Sequence, residues 1–377
     1  MLRVATLILV LLLVGACAKV DPEANKKIAG NAPPSPDRTS ASASSSSSPS
    51  AADSTPSAQP KVIGTIAKNL EVPWGVAFLP DKSALVTERD SGRVLQIIGP
   101  QVREVGQVEQ ARANNEAGLL GVAVSPSYAA DHLVFLYAST EEDNRVLRTT
   151  FRNGKLGKIT PILTGIPLGT NHDGGRMIFG PDKMLYVSTG ESGRPELAQD
   201  RSSLGGKILR ITPTGEPAPG NPDRSSPIWT WGHRNVQGLA FDDNANLWAS
   251  EFGQDTFDEL NLIEKGRNYG WPTVEGKGGG VGLQDPQVTW STDDSSPSGL
   301  AFLDGRLWLA ALRGERLWRV EVNGRRANGE KAFFVGKYGR LRTVVPAPDG
   351  NLWVTTSNRD GRGEPDSQDD RILLVRP

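Results

Sequence analysis

The sequence predicts an all-β fold, namely a six-bladed β-propeller of four-stranded antiparallel blades. Apolar segments of strand length recur along the chain, tight turns rich in Gly, Pro and Asp separate them, and helical periodicity is scarce. Six blocks of this kind follow one another at intervals of roughly 45–60 residues, which is the spacing of propeller blades. A β-sandwich or a pair of smaller β domains is the alternative, and the uninterrupted series of similar blocks argues against it.

The six blocks share one order of elements: an apolar strand, a tight turn, a second strand ending near a Glu or Ser, and a third strand. They begin at Trp74, Gly118, Asn171, Gly238, Gly299 and Thr343. One blade cannot bury both of its faces, whereas a closed ring of blades can. We therefore expect the C-terminal strand Arg371–Val375 to share a blade with the N-terminal strand Val62–Ile66.

Residues 1–16 have the features of a secretory signal peptide. Arg3 precedes the apolar run Ala5–Val14, which is too short to be a spanning helix. The residues Val14-Gly15-Ala16-Cys17 resemble the bacterial lipobox, and this resemblance implies that Cys17 is lipidated and becomes the mature N-terminus. An ordinary secretory signal followed by a coincidental cysteine is the alternative.

Residues 17–60, which begin with the lipidated cysteine, are expected to form a disordered tether. Ser, Ala and Pro dominate the tract from Asn31 to Pro60, and such a composition cannot bury enough apolar surface to fold. The globular domain then comprises residues 61–377. This order predicts an extracytoplasmic protein that is lipid-anchored to the cell membrane.

Charge and cysteine content restrict the choice of function. The formal net charge is -1, from 42 basic and 43 acidic residues, so no nucleic-acid partner is expected. A single cysteine excludes a disulfide framework within the chain.

Candidate site residues recur at matched points of the repeats, close to the leading strands. They are Glu116, His172, Arg234, Asn235, Arg340 and Arg342, with Arg313 in a loop between blocks five and six. Several arginines at one mouth would bind a multiply anionic ligand, and His172 is a candidate general base. A hydrogen-bonded structural role for His172, and a solvated strand face carrying Arg340 and Arg342, are the alternatives.

Three motif groups resemble the soluble quinoprotein glucose/sorbosone dehydrogenase family over about residues 62–377. They are Asn171-His172 through Gly175-Arg176 with Phe179-Gly180-Pro181-Asp182, then Gly232-His233-Arg234-Asn235 with Gln237-Gly238-Leu239-Ala240, and Asp258–Ile263 with Asn268–Pro272. The family includes the aldose sugar dehydrogenases, six-bladed propellers that use pyrroloquinoline quinone (PQQ) and calcium.

The resemblance implies a role for each candidate. His172 would take the proton of the anomeric hydroxyl, with Glu191 orienting its imidazole, while Arg234 polarises the quinone oxygens. The remaining cofactor contacts would be Asn235, Arg340, Arg342, Arg313 and Glu116. Arg313 replaces the lysine that is usual in the family, and Glu116 replaces the common glutamine.

The resemblance also implies two Ca²⁺ sites. The carbonyl oxygens of Gly253 and Gln254 would hold the cofactor's calcium, although many family members have Gly-Pro there. A structural calcium would use Asp258 and Glu259 together with the Tyr269 carbonyl.

The predicted function is a PQQ- and calcium-dependent aldose dehydrogenase that oxidises the C1 hydroxyl to a lactone and passes electrons to an external acceptor. A non-catalytic cell-surface propeller that binds sugar, polysaccharide or a protein partner is the main alternative. A hydrolase or lactonase with a channel metal is a third, and the arginine-rich channel disfavours it. Substrate choice is expected in the loops Leu197–Arg201, Glu275–Asp285 and Asn358–Asp370.

Overall fold

The computed structural model describes residues 59–377, which form a ring of six antiparallel β-sheets. The prediction of a six-bladed propeller is confirmed, which excludes the sandwich. The predicted signal peptide, the lipidation site Cys17 and the tether up to residue 58 lie outside the described residues. Within residues 59–377 no helix is long and apolar enough to cross a membrane.

The strands of each blade are given from the central channel outwards. Blade 1 contains β2 (Pro73–Phe78), β3 (Ala84–Glu88), β4 (Arg93–Ile98) and β5 (Gln101–Gln107). Blade 2 contains β6 (Leu119–Val124), β7 (Leu133–Ser139), β8 (Asn144–Arg152) and β10 (Thr160–Ile166), with the short β9 (Lys155–Leu156) paired to β8. Blade 3 contains β11 (Met177–Phe179), β12 (Leu185–Ser188), β13 (Lys207–Ile211) and β14 (Ile228–Trp231).

The other three blades repeat the arrangement. Blade 4 contains β15 (Val236–Phe241), β16 (Leu247–Glu251), β17 (Phe257–Ile263) and β18 (Val288–Ser291). Blade 5 contains β19 (Pro297–Leu303), β20 (Arg306–Ala311), β21 (Arg316–Asn323) and β22 (Arg326–Phe333). Blade 6 contains β23 (Leu341–Pro346), β24 (Leu352–Thr356), β25 (Ile372–Arg376) and β1 (Lys61–Ala67). The helical segments are α1 (Tyr128–Asp131) and a 3₁₀ turn (Pro195–Ala198).

The first and last strands close the ring, as the sequence predicts. Strand β1 is antiparallel to β25, with Lys61 opposite Arg376 and Ala67 opposite Ile372. Blade 6 therefore takes three strands from the C-terminal end of the chain and its outermost strand from the N-terminal end.

The same type of hairpin turn connects the inner strand to the second strand in four blades. The four turns are Leu79–Ser83, Gly180–Met184, Asp242–Asn246 and Ala347–Asn351. In each, the first residue's carbonyl accepts the N–H of the fourth residue, and its N–H donates to the fifth residue's carbonyl. The fourth residue has a positive φ, for example 61° at Lys183 and 82° at Gly350. This is the geometry of a type I turn followed by a bulge, which the Pro-Asp segments favour.

Hydroxyl groups on the second strands of three blades donate to the inner strand of the next blade, at one level of the channel. The Ser188 hydroxyl donates to the Val236 carbonyl at 2.8 Å, and the Ser250 hydroxyl donates to the Ser298 carbonyl at 2.7 Å. The Thr87 hydroxyl similarly donates to the Leu120 carbonyl. These bonds link consecutive blades beside the mouth at which the inner strands begin.

Apolar side chains fill the spaces between consecutive blades. Between blades 4 and 5, for example, Trp248 and Leu260 pack against Leu300 and Leu309. At the end of the channel where the inner strands finish there is a cavity of about 370 Å³ with mostly apolar walls. The predicted site residues lie at the opposite mouth.

Two buried tryptophans should differ in their contribution to stability. The indole Nε1 of Trp248 donates to Asp242 at 3.0 Å, whereas Nε1 of Trp308 has no partner within residues 59–377. Trp248→Phe should therefore reduce the free energy of unfolding by about 1.5–3 kcal/mol more than Trp308→Phe, because a bond to a charged group is lost. Urea denaturation of both variants measures this difference. Equal losses would show that the indole–carboxylate bond contributes nothing.

Candidate active site

The segments that precede the inner strands bring most of the predicted residues to one mouth of the channel. His172 precedes β11, Arg234 and Asn235 precede β15, and Glu116 precedes β6. Arg340 lies just before β23 and Arg342 within it.

The side chains of His172 and Glu191 form a hydrogen-bonded pair, and their two backbone segments approach closely. The ring Nδ1 of His172 contacts Oε1 of Glu191, whose side chain is 1% exposed. His172 has φ 59°, and a Cβ at Gly190 would lie 1.8 Å from the His172 carbonyl oxygen, so this close approach requires glycine. Nε2 of His172 has no hydrogen-bond partner among the described residues. This pairing fixes the ring and leaves Nε2 available to a substrate.

Arg234 and Asn235 are hydrogen-bonded to the two segments that carry this pair. The Glu191 N–H donates to the Arg234 carbonyl at 2.9 Å, and the Gly174 N–H donates to Asn235 Oδ1 at 3.1 Å. Burial lowers the pKa of Arg234, although Glu191 and other carboxylates oppose the effect. Arg234 Nε and Asn235 Nδ2 are buried, and neither has a partner within residues 59–377. Two donors left in this state indicate an acceptor that binds there.

A buried pair, His233 and Glu251, holds the backbone of Arg234 in place. His233 Nδ1 contacts Glu251 Oε2 at 2.9 Å, its Nε2 contacts Thr230 Oγ1 at 2.9 Å, and its ring stacks on Tyr269. The other Glu251 oxygen accepts the Arg234 N–H. The sequence motif contains His233, but nothing in the sequence identifies Glu251 as its partner.

Arg340 and Arg342 share one carboxylate. Arg340 Nε lies 3.0 Å and Arg342 Nη2 lies 3.5 Å from the same Asp360 oxygen. Burial alone would raise the pKa of Asp360, but the two arginines outweigh it and hold the pKa below its ordinary value. Burial lowers the pKa of Arg342 to about 10. Because both arginines are buried, a solvated strand face is excluded.

Glu116 joins the mouth of blade 2 to His172 and to blade 6. One carboxylate oxygen accepts the His172 N–H at 3.0 Å, and the other accepts Nη1 of Arg362 at 2.9 Å. Burial would raise the pKa of Glu116, but these two bonds hold it below its ordinary value. Arg362 therefore balances the negative charge that Glu116 introduces. Sequence reasoning missed Arg362 and Asp360, since both lie in an irregular loop.

Arg313 lies in the turn between β20 and β21, so the prediction that placed it between blocks five and six is wrong. Among the described residues it is the one predicted cofactor contact whose side chain is directed away from the others. Its guanidinium pairs with Asp293 at 2.7 Å, and the side chain is 61% exposed. No hydrogen bond connects it with the other candidates among residues 59–377. Its role in cofactor binding stays a prediction.

The predicted calcium residues lie together around the loop between β16 and β17. Glu275 Oε1 accepts four consecutive N–H groups of this loop, from Gln254 to Phe257, at 2.7–3.1 Å. The carbonyl oxygens of Gly253 and Gln254 accept no hydrogen bond within residues 59–377. This leaves both oxygens available to a cation.

At the second predicted calcium site, Asp258 already accepts hydrogen bonds from the protein. Asp258 accepts the N–H groups of Gly253 and Ser296, and burial raises its pKa to about 7. Burial and the nearby Glu251 also raise the pKa of Glu259. The Tyr269 hydroxyl donates to the Leu262 carbonyl at 2.7 Å. Among the described residues, no three His, Cys, Asp or Glu side chains are grouped as metal ligands, so a cation here would depend on carbonyl oxygens.

Asp173, the residue after His172, should make stability fall as the pH rises. Its carboxylate accepts the Asn144 side-chain amide at 2.9 Å, its Oδ2 has no partner within residues 59–377, and burial raises its pKa from 3.8 to about 6. A raised folded pKa gives stability that is present below about pH 4 and lost as the pH passes about 6. Asp173→Asn should therefore be more stable than the unmodified chain at pH 7, by up to about 3 kcal/mol, and equally stable near pH 4.

Urea denaturation at several pH values measures this effect. Asp349→Asn is the matched control, because Asn351 lowers the pKa of the exposed Asp349 and its replacement should be destabilising at pH 7. A constant stability difference for Asp173→Asn at every pH would contradict the prediction.

Comparisons with known proteins agree with this geometry. The family model described as Glucose / Sorbosone dehydrogenase matches residues 70–374. Aldose sugar dehydrogenase YliI of Escherichia coli is 30% identical over 79% of this chain and 91% of that protein. Quinoprotein glucose dehydrogenase B of Acinetobacter calcoaceticus is 33% identical over 56% of this chain and 52% of that protein.

A solved structure, the PQQ-bound aldose sugar dehydrogenase of Streptomyces coelicolor, is similar along nearly the whole propeller. It has a TM-score of 0.83 and 52% identity over 84% of this chain and 98% of that chain. The matching motifs, the shared fold and the extent of these similarities lead to one conclusion. The chain belongs to the Glucose / Sorbosone dehydrogenase family.

Proposed function

We propose that this chain is a PQQ- and calcium-dependent aldose sugar dehydrogenase that oxidises the C1 hydroxyl of a sugar to its lactone. The observation that carries the proposal is the meeting of the His172–Glu191 pair with buried arginines at one mouth. The similarity to the PQQ-bound enzyme of Streptomyces coelicolor supports it.

The polar groups of the mouth fit an anionic quinone. Among the described residues, Arg340 and Arg342 share Asp360 as their one acidic partner, so their remaining donors suit carboxylate groups. The orphaned donors Arg234 Nε and Asn235 Nδ2 suit quinone oxygens. When bound, PQQ supplies a two-electron acceptor for hydride.

His172 is proposed to act as the general base. Its Nε2 would take the proton of the anomeric O–H while the C1–H bond breaks with both electrons and the C1=O bond forms. Glu191, on Nδ1, would hold the tautomer with a lone pair on Nε2 and stabilise the imidazolium that results. The depth of the pair in the mouth favours this step, because buried Glu191 is a stronger partner than an exposed carboxylate.

Calcium is proposed at the carbonyl oxygens of Gly253 and Gln254, in the loop whose first residue lines the same small pocket as Arg234. A second calcium is proposed at Asp258, Glu259 and the Tyr269 carbonyl. A cation would favour the ionised form of the two carboxylates, whose pKa values burial raises.

The cellular setting is also a proposal. A lipid anchor at Cys17 and a tether up to residue 60 would hold the propeller outside the cytoplasmic membrane. Electrons would then pass to an external acceptor.

Turnover of sugars tests the function directly. Residues 61–377 are supplied with PQQ and Ca²⁺, and dye reduction is followed over a panel of aldoses. We expect turnover with at least one aldose and measurable heat of PQQ binding. Absence of both would reject the enzyme and favour a non-catalytic propeller that binds sugar, polysaccharide or a protein partner.

Replacing His172 should separate catalysis from cofactor binding. Because His172 has φ 59°, asparagine is the appropriate replacement, since it tolerates the left-handed region better than alanine. His172→Asn should lower kcat by about 10²–10⁴-fold and leave PQQ affinity largely unchanged. His132→Asn, at a residue with φ 54° outside the mouth, is the matched control and should keep full activity. Unchanged kcat in His172→Asn would remove it as the base.

The buried Arg342 should contribute more to cofactor affinity than the exposed Arg313. Arg342→Met should raise the Kd for PQQ by about 100-fold or more, because a buried charged hydrogen-bond partner of a carboxylate is lost. Arg313→Met should change Kd much less, since this side chain is exposed and paired with Asp293. Calorimetric titration of the apo-protein measures both. Equal losses would place Arg313 in the cofactor site in solution.

A further inference from the structure

Arg176 belongs to the same motif as His172, but the proposed reaction gives it no role. Its backbone N–H donates to the Ser188 hydroxyl at 3.0 Å, as Gly75 does to Thr87 and Thr343 does to Thr355. Arg176 thus stands at the ring level that Gly75 and Thr343 occupy in blades 1 and 6. A long charged side chain here enters the channel.

The Arg176 guanidinium reaches three other blades from blade 3. Nε donates to the Gln237 carbonyl of blade 4 at 2.8 Å, and Nη2 donates to the Thr343 hydroxyl of blade 6 at 3.1 Å. The Trp74 ring of blade 1 lies 4.2 Å from its central carbon. Because blades 3 and 6 face each other in a ring of six, the side chain spans the channel.

This side chain separates the candidate active site from the cavity at the other end. On the active-site side, the Gln237 side chain accepts Nη1 of Arg342 at 3.3 Å, so Arg342 lies one layer above. On the other side, Arg176 is the one charged residue of the described chain that lines the cavity of about 370 Å³. Arg176 is therefore the floor of the cofactor mouth.

The charge of Arg176 is not balanced by an acid. It is 9% exposed, and no carboxylate pairs with it within residues 59–377. Its charged neighbour is Arg342, a second cation, and burial together with Arg342 lowers the pKa of Arg176 to about 9. A buried cation without an anionic partner destabilises a folded chain.

We infer that Arg176 is a positioning residue for the anionic cofactor, closing the channel beneath it and supplying a positive charge that the cofactor's carboxylates balance. The inference rests on the proposed function. Arg176 would thus lower the stability of the apo-protein and increase its affinity for the anion. A residue with a purely structural role would stabilise the apo-protein and leave its affinity for the anion unchanged.

The test compares Arg176→Met with Arg210→Met. Arg210 is also buried and also lies over an aromatic ring, that of Trp229, but it is paired with Asp182 at 2.7 Å. For each variant, Tm is measured without cofactor and the Kd for PQQ is measured by calorimetry with Ca²⁺ present.

Arg176→Met should keep or raise the Tm of the apo-protein and raise the Kd for PQQ by about tenfold or more. Arg210→Met should lower Tm by several degrees and leave Kd unchanged. Arg176→Lys, which keeps the charge, should recover most of the affinity. If Arg176→Met lowers both Tm and affinity, the stated effect on stability is wrong; recovery of PQQ affinity in Arg176→Lys then supports the role of the charge in binding, and failure to recover overturns the inference.

The inference is overturned if Arg176→Met loses Tm as Arg210→Met does while its PQQ affinity stays at the level of the unmodified chain. That result would leave the proposed function standing. If the unmodified chain itself binds no PQQ, the proposed function fails and the inference fails with it.

Discussion

Hydroxyl bridges between consecutive blades hold the inner strands at the spacing that sets the dimensions of the mouth. Thr87, Ser188 and Ser250 each lie on the second strand of a blade and donate to a carbonyl of the next inner strand. The candidate side chains extend from the segments just before these inner strands. The spacing between His172 and Arg234 is thus inherited from the spacing between blades 3 and 4. Misplacement by a single ångström is enough to lower catalysis strongly, so the bridges connect packing with chemistry.

The polar groups at the mouth lower the stability of the folded protein. Arg342 and Arg176 are buried with few acidic partners, and Arg234 Nε, Asn235 Nδ2 and the second Glu191 oxygen lack hydrogen-bond partners within the described chain. Natural proteins break packing and pairing rules mainly at functional sites. An anion with several carboxylates would satisfy most of these groups at once. Its binding should therefore be accompanied by a large gain in stability.

The inner strands of every blade could be predicted from the sequence, because their residues are buried and apolar. Most outer strands could not, since a strand such as β5 has four exposed residues at its start and no apolar pattern, although the outermost strand of blade 6, β1, was predicted. The mouth residues His172, Arg234 and Arg342 were predictable because they occupy equivalent points of a repeat. Asp360 and Arg362 were not, because they lie in a loop whose path depends on the blades around it. The direction of Arg313 could not be predicted, because its exposed side chain in the turn between β20 and β21 pairs with Asp293.

The shared blade of β1 and β25 has a consequence for how the protein is made. Roughly 300 residues separate these strands, so at about 5–20 residues per second β1 waits on the order of tens of seconds for its partner. During that time its edges could recruit other chains. Lys61 at its start and Gly64 in its middle weaken such pairing. Blade 6 thus cannot be completed until the C-terminal strand has been synthesised.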